Sequence, residues 1–208
     1  MKLLVNLLFL AAASSIANTA SATVIPPGLD IDFRTAAWSG ANNQHTFSSG
    51  GVTAVAQPDD SKLWQDSVDG LGIRGGEIDE IDNREVLKIR LDTPMALLGV
   101  WITDLFLPAD GGGVGESGRL MLQFSDMTST TINFTANDAG QDNGNGELFV
   151  NFASNKAVRG IGFQEYPDRS NNEFSVAGFV KKVPEPGTLA LLGLGLLGFG
   201  ASARKRAH

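Results

Sequence analysis

The chain has 208 residues and a formal net charge of −7, with 16 basic residues against 23 acidic ones. This acidic balance argues against a nucleic-acid partner, because contact with phosphate groups requires a basic surface. There is no cysteine, which excludes a disulfide framework, a cysteine-ligated zinc site and a thiol nucleophile.

The N-terminus has the pattern of a secretory signal peptide. A lysine at position 2 is followed by an apolar run that extends to Ala13. Ala20 and Ala22 then form the small-x-small pattern of a cleavage site. We therefore predict that residues 1–22 are removed on export, and the alternative is an uncleaved membrane anchor.

Residues 23–182 are predicted to form one domain built of strands. Many short stretches alternate apolar and polar residues, as Leu87, Ile89 and Leu91 do with the charged residues between them. The gaps between these stretches are rich in Gly, Asn, Asp and Pro, and no convincing amphipathic helix lies between them. This pattern favours a mainly β chain with a single jelly-roll-like β-sandwich.

An acidic stretch inside this domain is a candidate metal site. Its residues are Glu77, Asp79, Glu80, Asp82 and Glu85, preceded by Asp66 and Asp69. Carboxylates at this density suit Ca²⁺, which takes 6–8 oxygen ligands. One alternative is a solvated acidic loop. A second is a glycosidase carboxylate pair, which requires a separation of ~5–9.5 Å across a cleft.

Two tryptophans are candidates for carbohydrate binding. Trp38 and Trp64 lie among polar residues and could stack on the apolar faces of sugars, with packing in the core or at its rim as the alternative. Trp101 lies in the most apolar stretch and is predicted to be in the core. His45 is the one histidine before the C-terminal segment, and no catalytic motif surrounds it, so we predict no catalytic site.

The C-terminal segment, residues 183–208, combines three features. Pro184, Glu185 and Pro186 form a tripeptide that proline keeps extended. Residues 187–203 carry no charge and would form a transmembrane helix of roughly 25 Å, the short end of what spans a bilayer. The basic cluster Arg204, Lys205 and Arg206 would then remain at the cytoplasmic surface.

This combination resembles the PEP-CTERM sorting signal of Gram-negative bacteria. Pro184, Glu185 and Pro186 match the tripeptide of that signal residue by residue. The resemblance implies recognition by an exosortase-type processing enzyme at the inner membrane. It further implies a membrane-anchored precursor that is later released to the cell envelope or the extracellular space. An ordinary anchor that is never cut is the alternative.

Two function classes follow. The first is a non-catalytic, exported cell-surface or extracellular-matrix protein that is sorted by its tail, with association with extracellular polysaccharide as a further hypothesis. The second is an envelope polysaccharide hydrolase or lyase with a carboxylate pair, anchored by the same tail. The lack of cysteine and the low histidine content favour the first class. No cofactor is expected beyond a structural Ca²⁺ as a candidate.

Overall fold

The structure is a computed structural model that describes residues 28–75, 80–82, 84–107, 115–139, 146–166 and 172–183. The predicted signal peptide, its cleavage site at Ala20 and Ala22, and the C-terminal features from Pro184 to Arg206 lie outside the described residues. The structure therefore does not test the predictions about those segments.

The described residues form twelve strands and two short 3-10 helices. The strands are β1 (Ile31–Asp32), β2 (Thr46–Ser49), β3 (Val52–Gln57), β4 (Lys62–Asp66), β5 (Gly70–Arg74), β6 (Val86–Met95), β7 (Leu97–Thr103), β8 (Ser117–Phe124), β9 (Ser129–Thr135), β10 (Leu148–Asn151), β11 (Val158–Glu165) and β12 (Ser175–Lys181). The 3-10 helices are Ala36–Ala41 and Ala136–Ala139. The prediction of a mainly β chain is confirmed.

The strands belong to two antiparallel sheets. Sheet I has the order β10-β7-β12-β5-β4, and β1 also pairs with β12. Sheet II has the order β2-β3-β6-β11-β8-β9. From β5 to β12 the chain changes sheet at every connection except the hairpin that joins β8 to β9. β11 and β12, the last strands in the chain, therefore lie inside their sheets, and each pairs on both edges with strands from earlier in the sequence.

One hydrophobic core takes side chains from both sheets. In β6, Leu87, Ile89 and Leu91 are buried, whereas Lys88 and Arg90 are exposed. This is the alternation that the sequence predicted, and it results from the period of two along a strand. The core extends from Ile31 near the start of the described chain to Phe179 in β12.

A second, smaller cluster covers the outer face of sheet I. Trp101 in β7 packs there with Leu29 and Ala177, and Phe149 lies at a ring-centroid distance of 5.3 Å from it. Its neighbours Val100 and Ile102 belong to the main core. Trp101 is therefore buried as predicted, but on the opposite face of β7. The sequence of β7 is almost entirely apolar because both faces of this strand are covered.

The aromatic packing around Phe179 gives a first test. Its ring lies edge-on to Phe33 at 5.6 Å and tilted against Phe163 at 6.2 Å, with no exposed surface. We expect Phe179→Ala to lower the free energy of unfolding by about 3–5 kcal/mol, because the lost contacts leave a cavity between the sheets.

Equilibrium unfolding in urea measures this loss. Val183→Ala is the matched control, since Val183 is 78% exposed and its truncation should change stability by less than about 0.5 kcal/mol. Similar losses in the two variants would contradict the core assignment.

Candidate functional site

Three connections meet at one end of the sandwich. Residues 80–85 follow β5, residues 104–116 join β7 to β8, and residues 166–174 join β11 to β12. The described parts of these connections are residues 80–82, 84–85, 104–107, 115–116, 166 and 172–174. Backbone hydrogen bonds connect the first and third of them, since the amide of Ile81 donates to the carbonyl oxygen of Phe174 at 2.8 Å. This end, which we call the acidic end, collects seven carboxylates. They are those of Glu80, Asp82, Glu85, Asp104, Glu116, Glu165 and Glu173.

Glu80 lies on one side of the acidic end, close to Glu173. Burial, followed by the charge of Glu173 and a hydrogen bond with it, raises the pKa of Glu80 to about 9. Burial also raises the pKa of Glu116 to about 7, with smaller contributions from the charges of Glu173 and Asp104. These carboxyl groups therefore bind protons at a pH where exposed glutamates are ionised.

Glu85 lies on the other side, with Asp82 and Glu165. All three are buried, with exposures of 6%, 6% and 3% for Glu85, Asp82 and Glu165. The backbone amide of Asp82 donates to Oε2 of Glu85 at 3.2 Å, and the carboxyl group packs against Gly75. Burial raises the pKa of Glu85 to about 8, despite the opposing effect of that backbone hydrogen bond.

The structure divides the predicted calcium ligands. Asp66 ends β4 and Asp69 lies in the turn before β5, and Oδ1 of Asp66 accepts from the amide of Val68 in that turn at 2.6 Å. Glu80, Asp82 and Glu85 come after β5, and Glu77 and Asp79 lie outside the described residues. Within the described ranges, no group of three His, Asp or Glu side chains is placed to hold a metal ion. The calcium site thus stays a prediction.

The two candidate tryptophans do not form a joint platform. Trp38 is 4% exposed, and its ring packs edge-on against Phe33 at 4.7 Å and Phe47 at 5.7 Å. Trp64 is half-buried, and the guanidinium of Arg74 lies over its ring at 5.3 Å. Core packing, the alternative considered above, therefore describes Trp38, and a cation–π contact occupies one face of Trp64.

His45 is held in place by hydrogen bonds of its ring and of its backbone. Its Nδ1 lies 3.2 Å from the carbonyl oxygen of Ser61 and can donate to it. The backbone around it is also bound, since the amide of Ala56 donates to the carbonyl oxygen of His45 at 3.0 Å. The ring therefore connects the start of β2 to the loop before β4.

A groove that local sequence patterns did not predict lies on the outer face of sheet II. It has a volume of about 520 Å³ and crosses strands β6, β11, β8 and β9. Its lining includes Lys88, Arg90, Arg119, Met121, Gln123, Thr131, Arg159, Gly160, Gly162 and Gln164. The floor is β11, in which Gly160 and Gly162 occupy the outward positions. Gly162 pairs with Lys88 on one side and with Met121 on the other.

Four of the residues that line this basic groove are cationic. Arg119 lies 4.6 Å above the ring of Tyr166, and with the Gln164 amide turned so that its oxygen faces the guanidinium, both Nε and Nη2 of Arg119 donate to that oxygen. Arg159 donates to the sulfur of Met127 at 2.7 Å. In the part of the chain that the structure describes, no ion pair involves Lys88 or Arg90. The sequence signal for this site is the pair Lys88 and Arg90 together with two glycines at alternate positions of a later strand.

Among the described residues, no helix is long and apolar enough to cross a membrane. The span predicted over residues 187–203 lies outside those residues, so this finding does not bear on it.

Comparison with known proteins bears on the C-terminal segment. A family model described as the PEP-CTERM protein-sorting motif matches residues 182–206. The chain carries the PEP-CTERM sorting motif. The motif is typical of exported proteins that carry a membrane-anchored sorting signal and are processed by exosortase-type enzymes.

The PEP-CTERM match begins directly after β12 and does not extend into the two sheets. No curated protein and no solved structure matches the chain. The resemblance to the PEP-CTERM signal is therefore confirmed, whereas the activity of the β-domain has to be argued from its own residues.

The raised pKa of Glu85 predicts how stability depends on pH. Its carboxyl group stays protonated in the folded state up to about pH 8, whereas in the unfolded chain it ionises near its ordinary value of 4.5. Between these values the folded state binds more protons, so stability should fall as the pH rises, by up to about 1.4 kcal/mol per unit. Glu80 and Glu116 act in the same direction.

Glu85→Gln tests this dependence, because glutamine is neutral and its oxygen can still accept from the amide of Asp82. We expect a flatter decrease in stability between pH 5 and 8 and a more stable variant at pH 8, measured by thermal or urea unfolding in a series of buffers. The exposed residue Asp60 provides the control, and Asp60→Asn should leave the slope unchanged. If stability in Glu85→Gln fell with pH as steeply as in the wild type, the raised pKa of Glu85 would be contradicted.

Proposed function

We propose that the chain is a non-catalytic, exported cell-surface or extracellular-matrix protein. The single observation that carries this proposal is the match of the PEP-CTERM sorting motif to residues 182–206. In this proposal the β-domain is the cargo, and it associates with extracellular polysaccharide once it is outside the cell. An exosortase-type enzyme and the inner membrane are the partners of the precursor.

Each part of the tail has a physical role in the proposal. The uncharged residues 187–203 hold the precursor in the inner membrane as a helix. Arg204, Lys205 and Arg206 orient it, because basic residues stay on the cytoplasmic side. The extended tripeptide Pro184-Glu185-Pro186 presents a site for cleavage on the other side of the membrane.

The strand order supports a jelly-roll-like description of the cargo. Strands β5, β12, β7 and β10 are neighbours in sheet I, and β6, β11, β8 and β9 are neighbours in sheet II. Two four-stranded sheets connected in this alternating order correspond to the eight strands of a jelly roll. The remaining strands then extend the sheets at β4, β3 and β2, while β1 pairs with β12.

The location of the carboxylates supports a non-catalytic role. Raised pKa values are typical of general acids, so the acidic end is where a hydrolase or lyase site would be sought. Asp82, Glu85 and Glu165, however, are at most 6% exposed and cannot contact a polysaccharide without movement of the surrounding chain. This burial counts against an envelope polysaccharide hydrolase or lyase that uses these three residues, so that alternative would have to use the partly exposed Glu80, Glu116 and Glu173.

Processing of the tail gives a direct test. We expect the mature protein to be cut at or near Pro184-Glu185-Pro186, so its mass should lack the segment that ends at His208. Glu185→Gln should leave membrane insertion intact, because the apolar span is unchanged, but should block cleavage if the enzyme binds the carboxylate. Mass spectrometry of the protein from cells with and without the sorting enzyme measures cleavage, and separation of membrane and soluble fractions measures insertion.

Neutral replacement of Arg204, Lys205 and Arg206 is the companion experiment. It should weaken retention in the membrane before cleavage while the tripeptide stays intact. A mature protein that still carries His208 in wild-type cells would contradict sorting by cleavage and favour a plain anchor.

We also propose a structural Ca²⁺ near the acidic end. The support is two groups of neighbouring carboxylates, Glu80 with Glu116 and Glu173, and Glu85 with Asp82 and Glu165, in which burial first and the neighbouring charges second raise the pKa values of Glu80, Glu85 and Glu116. A divalent cation would stabilise their ionised forms, and carboxylates are the ligands that Ca²⁺ prefers. The predicted ligand set also includes Glu77 and Asp79, which lie outside the described residues.

Thermal unfolding with millimolar Ca²⁺ and with chelator tests this second proposal. Because protons compete with the cation for the carboxylates, we expect Ca²⁺ to raise the melting temperature at pH 8 and to have little effect at pH 5. The stabilisation would be about 2.7 kcal/mol at a hundredfold excess over Kd. An unchanged midpoint at pH 8, with ionic strength matched by NaCl, would favour the solvated acidic loop.

A further inference from the structure

We propose that the basic groove on sheet II is a binding site for one chain of an acidic, carboxylate-bearing polysaccharide. The inference deepens the proposed function, on which it rests for the export of the domain to where such polymers occur. The groove differs from the tryptophan sites considered above, since neither Trp38 nor Trp64 lines it.

The shape of the groove comes from the two glycines in β11. Gly160 and Gly162 leave the centre of the outer face without side chains, while β6 and β8 on either side carry long ones. With neighbouring strands ~4.8 Å apart, the side chains of β6 and β8 are separated by about 10 Å across β11. The result is a trough along β11 that is wide enough for a single extended polymer chain.

The charge of the groove selects an anionic ligand. Lys88 and Arg90 line one wall, Arg119 lines the other, and Arg159 lies near one end of the floor. Asp92 lines the adjoining hollow of about 270 Å³, beyond Arg90 and Arg159, and none of the residues that line the groove itself is acidic. On a chain with a net charge of −7, this is a local concentration of positive charge that complements carboxylate groups.

The neutral residues of the groove favour a carbohydrate over a nucleic acid. Gln123, Thr131 and Gln164 offer amide and hydroxyl groups that can pair with sugar hydroxyls, and the exposed Met121 offers an apolar contact. Binding of single-stranded nucleic acid relies on aromatic faces that stack on bases. None of the residues that line the groove is aromatic, and the ring of Tyr166 beside it is already in contact with Arg119.

The guanidinium group of Arg119 is positioned for such a ligand by its neighbours. Arg119 is supported by Tyr166 on one face and by Gln164 at its edge, so less side-chain freedom is lost on binding. Arginine binds planar carboxylates through two parallel hydrogen bonds, which gives preference for carboxylated over neutral sugars. Lys88 and Arg90, which lack ion-pair partners in the described part of the chain, add charge without a competing acid.

The experiment measures binding of the full chain, in detergent, to three probes at low salt. These are polygalacturonate as a carboxylated glycan, dextran as a neutral glycan and single-stranded DNA as a different polyanion. We expect polygalacturonate to bind, dextran not to bind, and DNA to bind more weakly. Failure of polygalacturonate to bind, equal binding of dextran, or tighter binding of DNA would each overturn the proposal.

Two kinds of variant locate the site. The double variant Lys88→Gln and Arg90→Gln should weaken polygalacturonate binding about tenfold and reduce its salt dependence by about two charges. The matched control is Lys62→Gln with Lys181→Gln, which removes two exposed lysines from sheet I and should leave binding unchanged. Equal losses in the two double variants would mean that binding depends only on overall charge.

Gly162→Val tests the trough itself without changing the charge. A Cβ at this position would meet its nearest neighbour, Cγ1 of Val86, at 3.9 Å, which is ordinary van der Waals contact. Valine also suits a strand, so the melting temperature should stay the same or rise. We expect binding to fall at least about as much as in the double variant, because the side chain would fill the floor. Wild-type affinity in a folded Gly162→Val protein would overturn the groove as the site.

Processing of the tail is independent of all these measurements. A chain that is cut at Pro184-Glu185-Pro186 but binds no polygalacturonate would overturn the groove assignment and leave sorting intact. A chain that binds through the groove but keeps its tail would contradict sorting by cleavage instead.

Discussion

Burial of one face of sheet II against sheet I is the constraint on which the rest of the structure depends. A strand has a period of two, so a strand that buries Leu87, Ile89 and Leu91 must project Lys88 and Arg90 away from the core. The same rule applies to β11, where Ile161 and Phe163 point inward and the alternate positions are Gly160 and Gly162. The basic groove is therefore the outer surface of the same strands that form the core.

Charge is distributed unevenly over the molecule as a consequence. Carboxylates collect at the acidic end because three connections converge there, whereas the cations of sheet II come from the middle of its strands. The two regions also differ in solvation, since Glu85 and Glu165 are buried and Lys88 and Arg90 are exposed. Stability should accordingly respond to pH through the acidic end, and ligand binding should respond to salt through the groove.

Sequence patterns predicted those features that depend on neighbouring residues. The alternation in β6, the class of fold and the burial of Trp101 could all be predicted, because each depends on periodicity or local composition. The PEP-CTERM motif could be predicted for the same reason, since its tripeptide, span and basic cluster are consecutive. The separation of Asp66 from Glu80 could not be predicted, because it depends on the position of β5 between them in the fold.

Features that depend on pairing between distant strands escaped prediction. Glu173 approaches Glu80 only because the connection before β12 meets the one after β5, across more than ninety positions of the chain. The groove likewise requires Gly162 to pair with both Lys88 and Met121. Trp38 lies between alanines, serine and glycine in the sequence but packs against the aromatic rings of Phe33 and Phe47 in space. Local composition carries no information on such contacts.

The position of β12 has a mechanical consequence. This strand lies inside sheet I, between β7 on one side and β5 with β1 on the other, and it ends at Lys181, directly before the PEP-CTERM motif. A pull on the tail is therefore transmitted along an interior strand whose hydrogen bonds on both edges are loaded in shear and must break together. Sheet I would resist extraction under tension, so a domain still tethered to a membrane could bear a load from its surroundings without unravelling from its C-terminal end.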